Sequence, residues 1–112
     1  MASILGVVVI FKRQIKLNQG VIPVPAISMF YGIVIYMYLD DNKRHHLPHI
    51  HTRYQGKKAS IAIESGDVLE GDIPSSKLRL VQAWIEIHRE DLMADWELAT
   101  NNELPLKIPP LQ

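Results

Sequence analysis

His49-Ile50-His51-Thr52-Arg53-Tyr54-Gln55-Gly56-Lys57-Lys58-Ala59-Ser60-Ile61-Ala62-Ile63-Glu64 is the stretch that decides the fold. Residues from His49 to Tyr54 alternate between a polar row and a row of Ile50, Thr52 and Tyr54, the period of a strand. Gln55-Gly56 is a turn, and Lys58 to Glu64 reads as the next strand, with Ala59, Ile61 and Ile63 on one face. So short a connection joins antiparallel neighbours. Downstream, Ser65-Gly66 is a second turn signal and Asp67 to Ile73 a further strand. Upstream, Pro48 biases Leu47 towards extended backbone, and residues 40–47 form a polar loop. Before it lies the charge-free run from Ile27 to Leu39, rich in aromatic and β-branched residues, which reads as one long strand. Ile33, Ile35 and Met37 occupy one of its faces and Val34, Tyr36 and Tyr38 the other. An apolar pattern on both faces predicts cover on both sides.

The pattern changes period after Pro74. Ser75 is a candidate N-cap. Leu78, Val81, Ile85, His88, Leu92 and Ala99 recur at helical spacing, widened by Trp84, Ile87 and Trp96, to about Thr100, where Asn101-Asn102 ends the helix. The last segment holds Pro105, Pro109 and Pro110, so it is extended rather than helical. Its Leu104, Leu106, Ile108 and Leu111 predict that it packs on the rest. The expected architecture is α+β: a four-stranded antiparallel meander packed on one long C-terminal helix, with an extended C-terminal tail. One helix covers one sheet face. The candidates to cover the other are the tail, a second copy of the chain, or another protein.

A length of 112 residues fits one domain. With 47% apolar and 21% charged residues the composition is that of a globular chain. The absence of cysteine excludes a disulfide scaffold, thiolate metal sites and a cysteine nucleophile. No apolar run reaches the roughly 18 residues of a membrane helix. A net charge of zero argues against a strong sequence-independent grip on nucleic acid. The charge is unevenly placed, however. No acid precedes Asp40, and Lys12, Arg13 and Lys16 give the first 23 residues +3 against −3 for the rest. In that leading segment the basic residues follow the apolar run from Ile4 to Phe11, the reverse of a secretory signal. Residues 1–23 are therefore expected to be an extra edge strand or an extension outside the functional domain, which spans 24–112.

Chemistry concentrates in one place. Four of the five histidines, His45, His46, His49 and His51, fall within one short stretch. On a strand, His49 and His51 share a face with Cα atoms roughly 6.5 Å apart, Arg53 continues that row, and His45 can fold back over the pair from the loop. Three chemistries fit: a His45–His49–His51 site for a divalent transition metal with a position open to water, acid–base work on a phosphodiester by the imidazoles with Arg53 stabilising charge, and plain anion binding. A solvated polar strand face is the bland reading. His88, in the apolar stripe, is expected to be a hydrogen-bonded core residue. Asp91, Asp95 and Glu97 are expected on a solvated helix face, and Trp84 and Trp96 in the core.

These residues also carry a resemblance. Pro25-Ala26-Ile27-Ser28 with Phe30-Tyr31-Gly32-Ile33, then His45, then Pro48-His49-Ile50-His51, then Ala59 to Glu64 with Gly66 and Leu69-Glu70-Gly71, resemble a bacterial domain-of-unknown-function family, number four-one-six-zero. Leu80-Val81, Trp84, His88, Leu92, Trp96-Glu97-Leu98-Ala99 and the tail Ile108-Pro109-Pro110-Leu111 continue it, so the resemblance spans about residues 25–112. His46 and Leu47 stand where the family favours small residues or proline, and Ile50 where phenylalanine is common. Members tend to begin with a methionine just before the proline that matches Pro25. Val24 holds that place here, which makes residues 1–23 a candidate mis-assigned start. The resemblance implies a small cytoplasmic protein encoded beside a second small protein, as in a toxin–antitoxin-type module. It leaves open an enzyme acting on RNA or another phosphodiester through His45, His49, His51 and Arg53, a metal protein, and a non-catalytic interaction module. The partner would be the neighbouring protein or a second copy; nucleic acid stays open and no membrane is expected.

Overall fold

The computed structural model describes residues 26–39 and 47–112. They form a five-stranded antiparallel meander of β1 (Ala26–Phe30), β2 (Ile33–Tyr36), β3 (His49–Tyr54), β4 (Lys57–Ala62) and β5 (Val68–Gly71), in that spatial order. A single helix, α1 (Ser75–Thr100), and a tail to Gln112 follow. The α+β class and the meander are as the sequence predicts. The strand count is corrected from four to five, because the run from Ile27 to Leu39 is a hairpin rather than one strand. Tyr31 and Gly32 both take positive φ, 48° and 78°, and Gln55 and Gly56 repeat this at 46° and 82°. A two-residue turn with both φ values positive matches the twist of the strands it joins. Phe30 therefore faces Ile33, and Met29 faces Val34.

The sheet has one apolar face. Ile33, Ile35, Ile50, Ile61 and Ile63 are fully buried, with Phe30 and Met37, against Val81, Trp84, Ile85 and Leu92 of α1. Each such isoleucine stabilises the fold by roughly 1.5–3 kcal/mol on transfer grounds. Thr52 lies on this inner face and donates its hydroxyl to Ala59 O at 3.1 Å, so its burial leaves no unpaired donor. The opposite face is covered in part, as the sequence suggests: Tyr36 (4% exposed), His49 (1% exposed), Ser60 and Ala62 are buried on it. Tyr38, Met29 and Tyr31 remain exposed there and at the neighbouring turn.

Side-chain contacts that seat α1 on the sheet include Gln82 Nε2 donating to Gly66 O (2.8 Å), Arg89 Nε donating to Ile63 O (3.2 Å), and the Phe30 and Trp84 rings meeting at 5.3 Å. Pro74, not Ser75, holds the N-cap position, and no side chain caps the helix there. The helix ends on Asn102 at φ 63°. Asn102 N donates to Ala99 O (3.0 Å) and Glu103 N to Leu98 O (2.8 Å), the two closures that satisfy the last carbonyls of a helix. His88 interrupts the helical dihedrals (φ −112°, ψ 24°). Its ring packs 5.5 Å from Trp84 and its Nδ1 lies 3.9 Å from Asp91.

The tail then returns to β1. Ile108 N donates to Ile27 O (2.8 Å), and Trp84 Nε1 donates to Pro109 O (2.8 Å). Ile108 is buried and Leu111 packs on the core, whereas Leu106 points to solvent, contrary to the expectation for it. The tail thus docks on the β1 edge. Residues 1–25 and 40–46, including the proposed extension at 1–23, His45 and His46, lie outside the described residues.

Candidate functional site

The alternation of β3 fixes the row. Ile50 and Thr52 enter the core, so His49, His51 and Arg53 emerge on the other side of the sheet. The two imidazoles lie edge to face with centroids 5.0 Å apart. Their surroundings differ. His49 is 1% exposed and its ring packs 4.9 Å from Trp96. Its Nδ1 lies 2.7 Å from Leu47 O, and because a carbonyl only accepts, Nδ1 is the protonated nitrogen. His51 is half-buried, with Nδ1 3.2 Å from the hydroxyl of Ser60 on β4.

The register of β2 brings tyrosines to the same place. Tyr36 pairs with His51 and Val34 with Arg53. The His51 ring stacks on Tyr36 (5.4 Å, 20°) and meets Tyr38 edge-on (4.5 Å, 73°), while the Arg53 guanidinium lies 5.5 Å from the Tyr36 ring centroid. The result is an unbroken chain of rings, Tyr38–Tyr36–His51–His49–Trp96, of which His51 and Tyr38 meet solvent. Burial, and then the adjacent Tyr38 phenol, hold the Tyr36 hydroxyl above its usual pKa range, with Arg53 opposing. Tyr36 is therefore a neutral phenol at physiological pH and not a base. On β4, Lys58 stands directly across from Arg53. Two cations facing each other on one sheet face repel, and among the described residues no carboxylate pairs with either.

The structure thus brings together His49, His51 and Arg53 as the sequence predicts, and His45 falls outside the described residues. Among the described residues no three His, Asp or Glu side chains converge on a point that could hold a metal ion. Tyr36, Tyr38 and Lys58 were not anticipated as members of the site. The signal for the tyrosines lies in their i, i+2 spacing, which predicts a covered apolar face; Tyr36 is covered as expected and Tyr38 is exposed. The signal for Lys58 was its place opposite Arg53 across a two-residue turn. Asp95 corrects another expectation. It is 2% exposed rather than solvated; Oδ1 accepts from Leu106 N at 2.8 Å, and Oδ2 is buried without a hydrogen bond among the described residues. Burial raises its pKa, Asp91 adds to that, and the Leu106 N–H opposes it.

No helix among the described residues is long and apolar enough to cross a membrane. No curated protein and no solved structure matches the chain. A family model does match, over residues 32–97, from the turn before β2 to the last turn of α1, and so includes the whole His49–His51–Arg53 row. β1 and the tail lie beyond the matched residues. With more than half of its length matched, the chain belongs to the family described as Domain of unknown function (DUF4160).

Proposed function

We propose that the protein is the RNA-directed component of a toxin–antitoxin-type two-gene module in the bacterial cytoplasm, acting on a phosphodiester at the His49–His51–Arg53 row. The observation that carries this is the pair of imidazoles 5.0 Å apart with a guanidinium next in the same row. Arg53 and Lys58 supply fixed positive charge at the row, which attracts a phosphate and disfavours a metal cation. An imidazole exchanges protons near neutral pH without an ion's help.

The burial pattern divides the roles. His51, which meets solvent, is the proton carrier. It takes the proton of a ribose 2′-hydroxyl as the 2′-oxygen forms a bond to phosphorus. Arg53 balances the extra negative charge on the phosphoryl oxygens. The bond from phosphorus to the 5′-oxygen then breaks, and His51 returns the proton to that oxygen. The products are a 2′,3′-cyclic phosphate and a free 5′-hydroxyl, and no water or oxidant is consumed. His49, anchored through Nδ1–H to Leu47 O and pressed on Trp96, is a positioning residue that fixes the His51 ring from behind.

Inducible expression in a bacterial host tests the reading. Growth should stop with the wild type and continue with His51→Ala, provided that both proteins accumulate and melt alike. Unimpaired growth with wild type at high level would remove the toxin reading. A second reading is favoured by Met29 and Tyr31, exposed large apolar residues beside the β1 edge. There the chain is a non-catalytic module whose partner is its encoded neighbour, and co-purification from co-expressed genes that survives Met29→Lys would count against it.

A further inference from the structure

Resting on the phosphodiester reading, we infer that the outer face of β2–β3–β4 is a track for single-stranded RNA, with Tyr38 as the base platform and Arg53 with Lys58 as the phosphate clamp. Three features of that face point to one ligand. The first is the cation pair. Arg53 and Lys58 are register partners, and both are exposed. The nearby Asp72 carboxylate belongs to Lys57, 3.5 Å from its Nζ. A cross-strand pair of like charges costs stability in the free protein, and a bound anion converts that repulsion into attraction.

The second feature is aromatic. Tyr38 is 39% exposed, and its ring is held edge-on by both Tyr36 (5.6 Å, 89°) and His51 (4.5 Å, 73°). A ring fixed by its neighbours loses little freedom when a base stacks on it. Stacking needs a base that is free of its complement, which selects single strands over duplexes.

The third is placement. Along β3 the row runs from exposed Arg53 to half-buried His51 and closes at His49, which is 1% exposed against Trp96, so a phosphate at the Arg53–Lys58 end leaves the next sugar over His51 and its base towards Tyr38, beside the His51 ring. Successive phosphates of an extended strand lie roughly 6–7 Å apart, close to the i, i+2 repeat of β3. An acidic protein segment would satisfy the cations but would leave the exposed phenol ring without a stacking partner.

Fluorescence anisotropy on the full-length chain tests this. The probe is an end-labelled 2′-O-methyl oligouridine of about 10 nucleotides, which keeps phosphates and bases but cannot be cleaved. Two phosphate contacts predict a log–log salt slope of about −1.4, and Lys58→Gln should weaken binding and bring that slope to about −0.7. Tyr38→Ala should weaken binding by about tenfold with the slope unchanged. A duplex of the same length should bind less tightly than the single strand. No binding at low salt, or binding indifferent to both substitutions in variants that melt like wild type, overturns the assignment, as does equal preference for the duplex. Growth arrest without oligonucleotide binding would overturn the RNA track and leave the module reading in place. Binding without growth arrest would support the track and overturn the toxin reading.

Discussion

Asp95 carries the least comfortable charge among the described residues. Its carboxyl is buried, one oxygen receives the Leu106 N–H, and the other has no hydrogen bond among the described residues. Because its pKa in the folded protein is raised, chiefly by burial, the folded state holds the proton more tightly than the unfolded chain. Its contribution to stability is therefore full below the ordinary carboxylate value of about 3.9 and is lost as pH rises through the raised value. Asp95→Asn keeps an oxygen for Leu106 N–H and removes the charge. Thermal melts from about pH 4 to about pH 7 should show the wild type falling steadily relative to this variant, whereas parallel curves would mean that Asp95 ionises normally. Nothing in the sequence marked this residue. It sits between Asp91 and Glu97 on a helix whose acids look solvated, and only the return of the tail over α1 buries it. His49 and His51 were legible for the opposite reason. Strand alternation alone sends both to one side, and no tertiary event could separate them without breaking β3.

At the scale of elements, the turns did most to set what could be read. Gln55-Gly56 stands between two clearly alternating strands and was legible as a turn. Tyr31-Gly32 has the same positive-φ geometry, but tyrosine is a strand former and the flanking residues are apolar on both faces, so the hairpin looked like one strand. Of the i, i+2 tyrosines that follow, Tyr36 is buried beside His51 as an apolar face predicts, whereas Tyr38, in ring contact with His51, is exposed. The glycines differ in what holds them. At Gly56 a methyl group would meet no atom within 4 Å, whereas at Gly71 (φ 79°) it would collide with the Lys58 carbonyl of the neighbouring strand. Gly56→Ala should cost about 1 kcal/mol, the usual expense of left-handed backbone with a side chain. Gly71→Ala should cost roughly 3 kcal/mol, since β4 and β5 must separate to admit it. Denaturant titration of the two variants checks this, and equal midpoints would show that β5 yields freely. Lys58 contributes that carbonyl and also the phosphate-facing cation, so the β4–β5 junction holds one wall of the site.

For the whole molecule, the α+β layering follows from one asymmetry. The inner face of the sheet is isoleucine and is closed by a single helix, and the outer face is aromatic and cationic, buried at His49 beside Trp96 of that helix and exposed at Arg53 and Lys58. The tail, whose prolines exclude helix, was rightly expected to pack, and it does so on the β1 edge through Ile108 and Pro109. The outer face keeps Arg53, Lys58 and Tyr38 exposed. Net neutrality hid this, because it averages Arg53 and Lys58 with acids placed elsewhere on the chain. The most direct test is end-group analysis of single-stranded RNA incubated with purified, untagged protein in the presence of a metal chelator. Wild type should produce 2′,3′-cyclic phosphate and 5′-hydroxyl ends at neutral pH, and His51→Ala should produce none above background. Intact RNA with the wild type, or cleavage that His51→Ala leaves unchanged, would contradict the account; cleavage abolished by the chelator alone would transfer the chemistry from the imidazole to a metal ion.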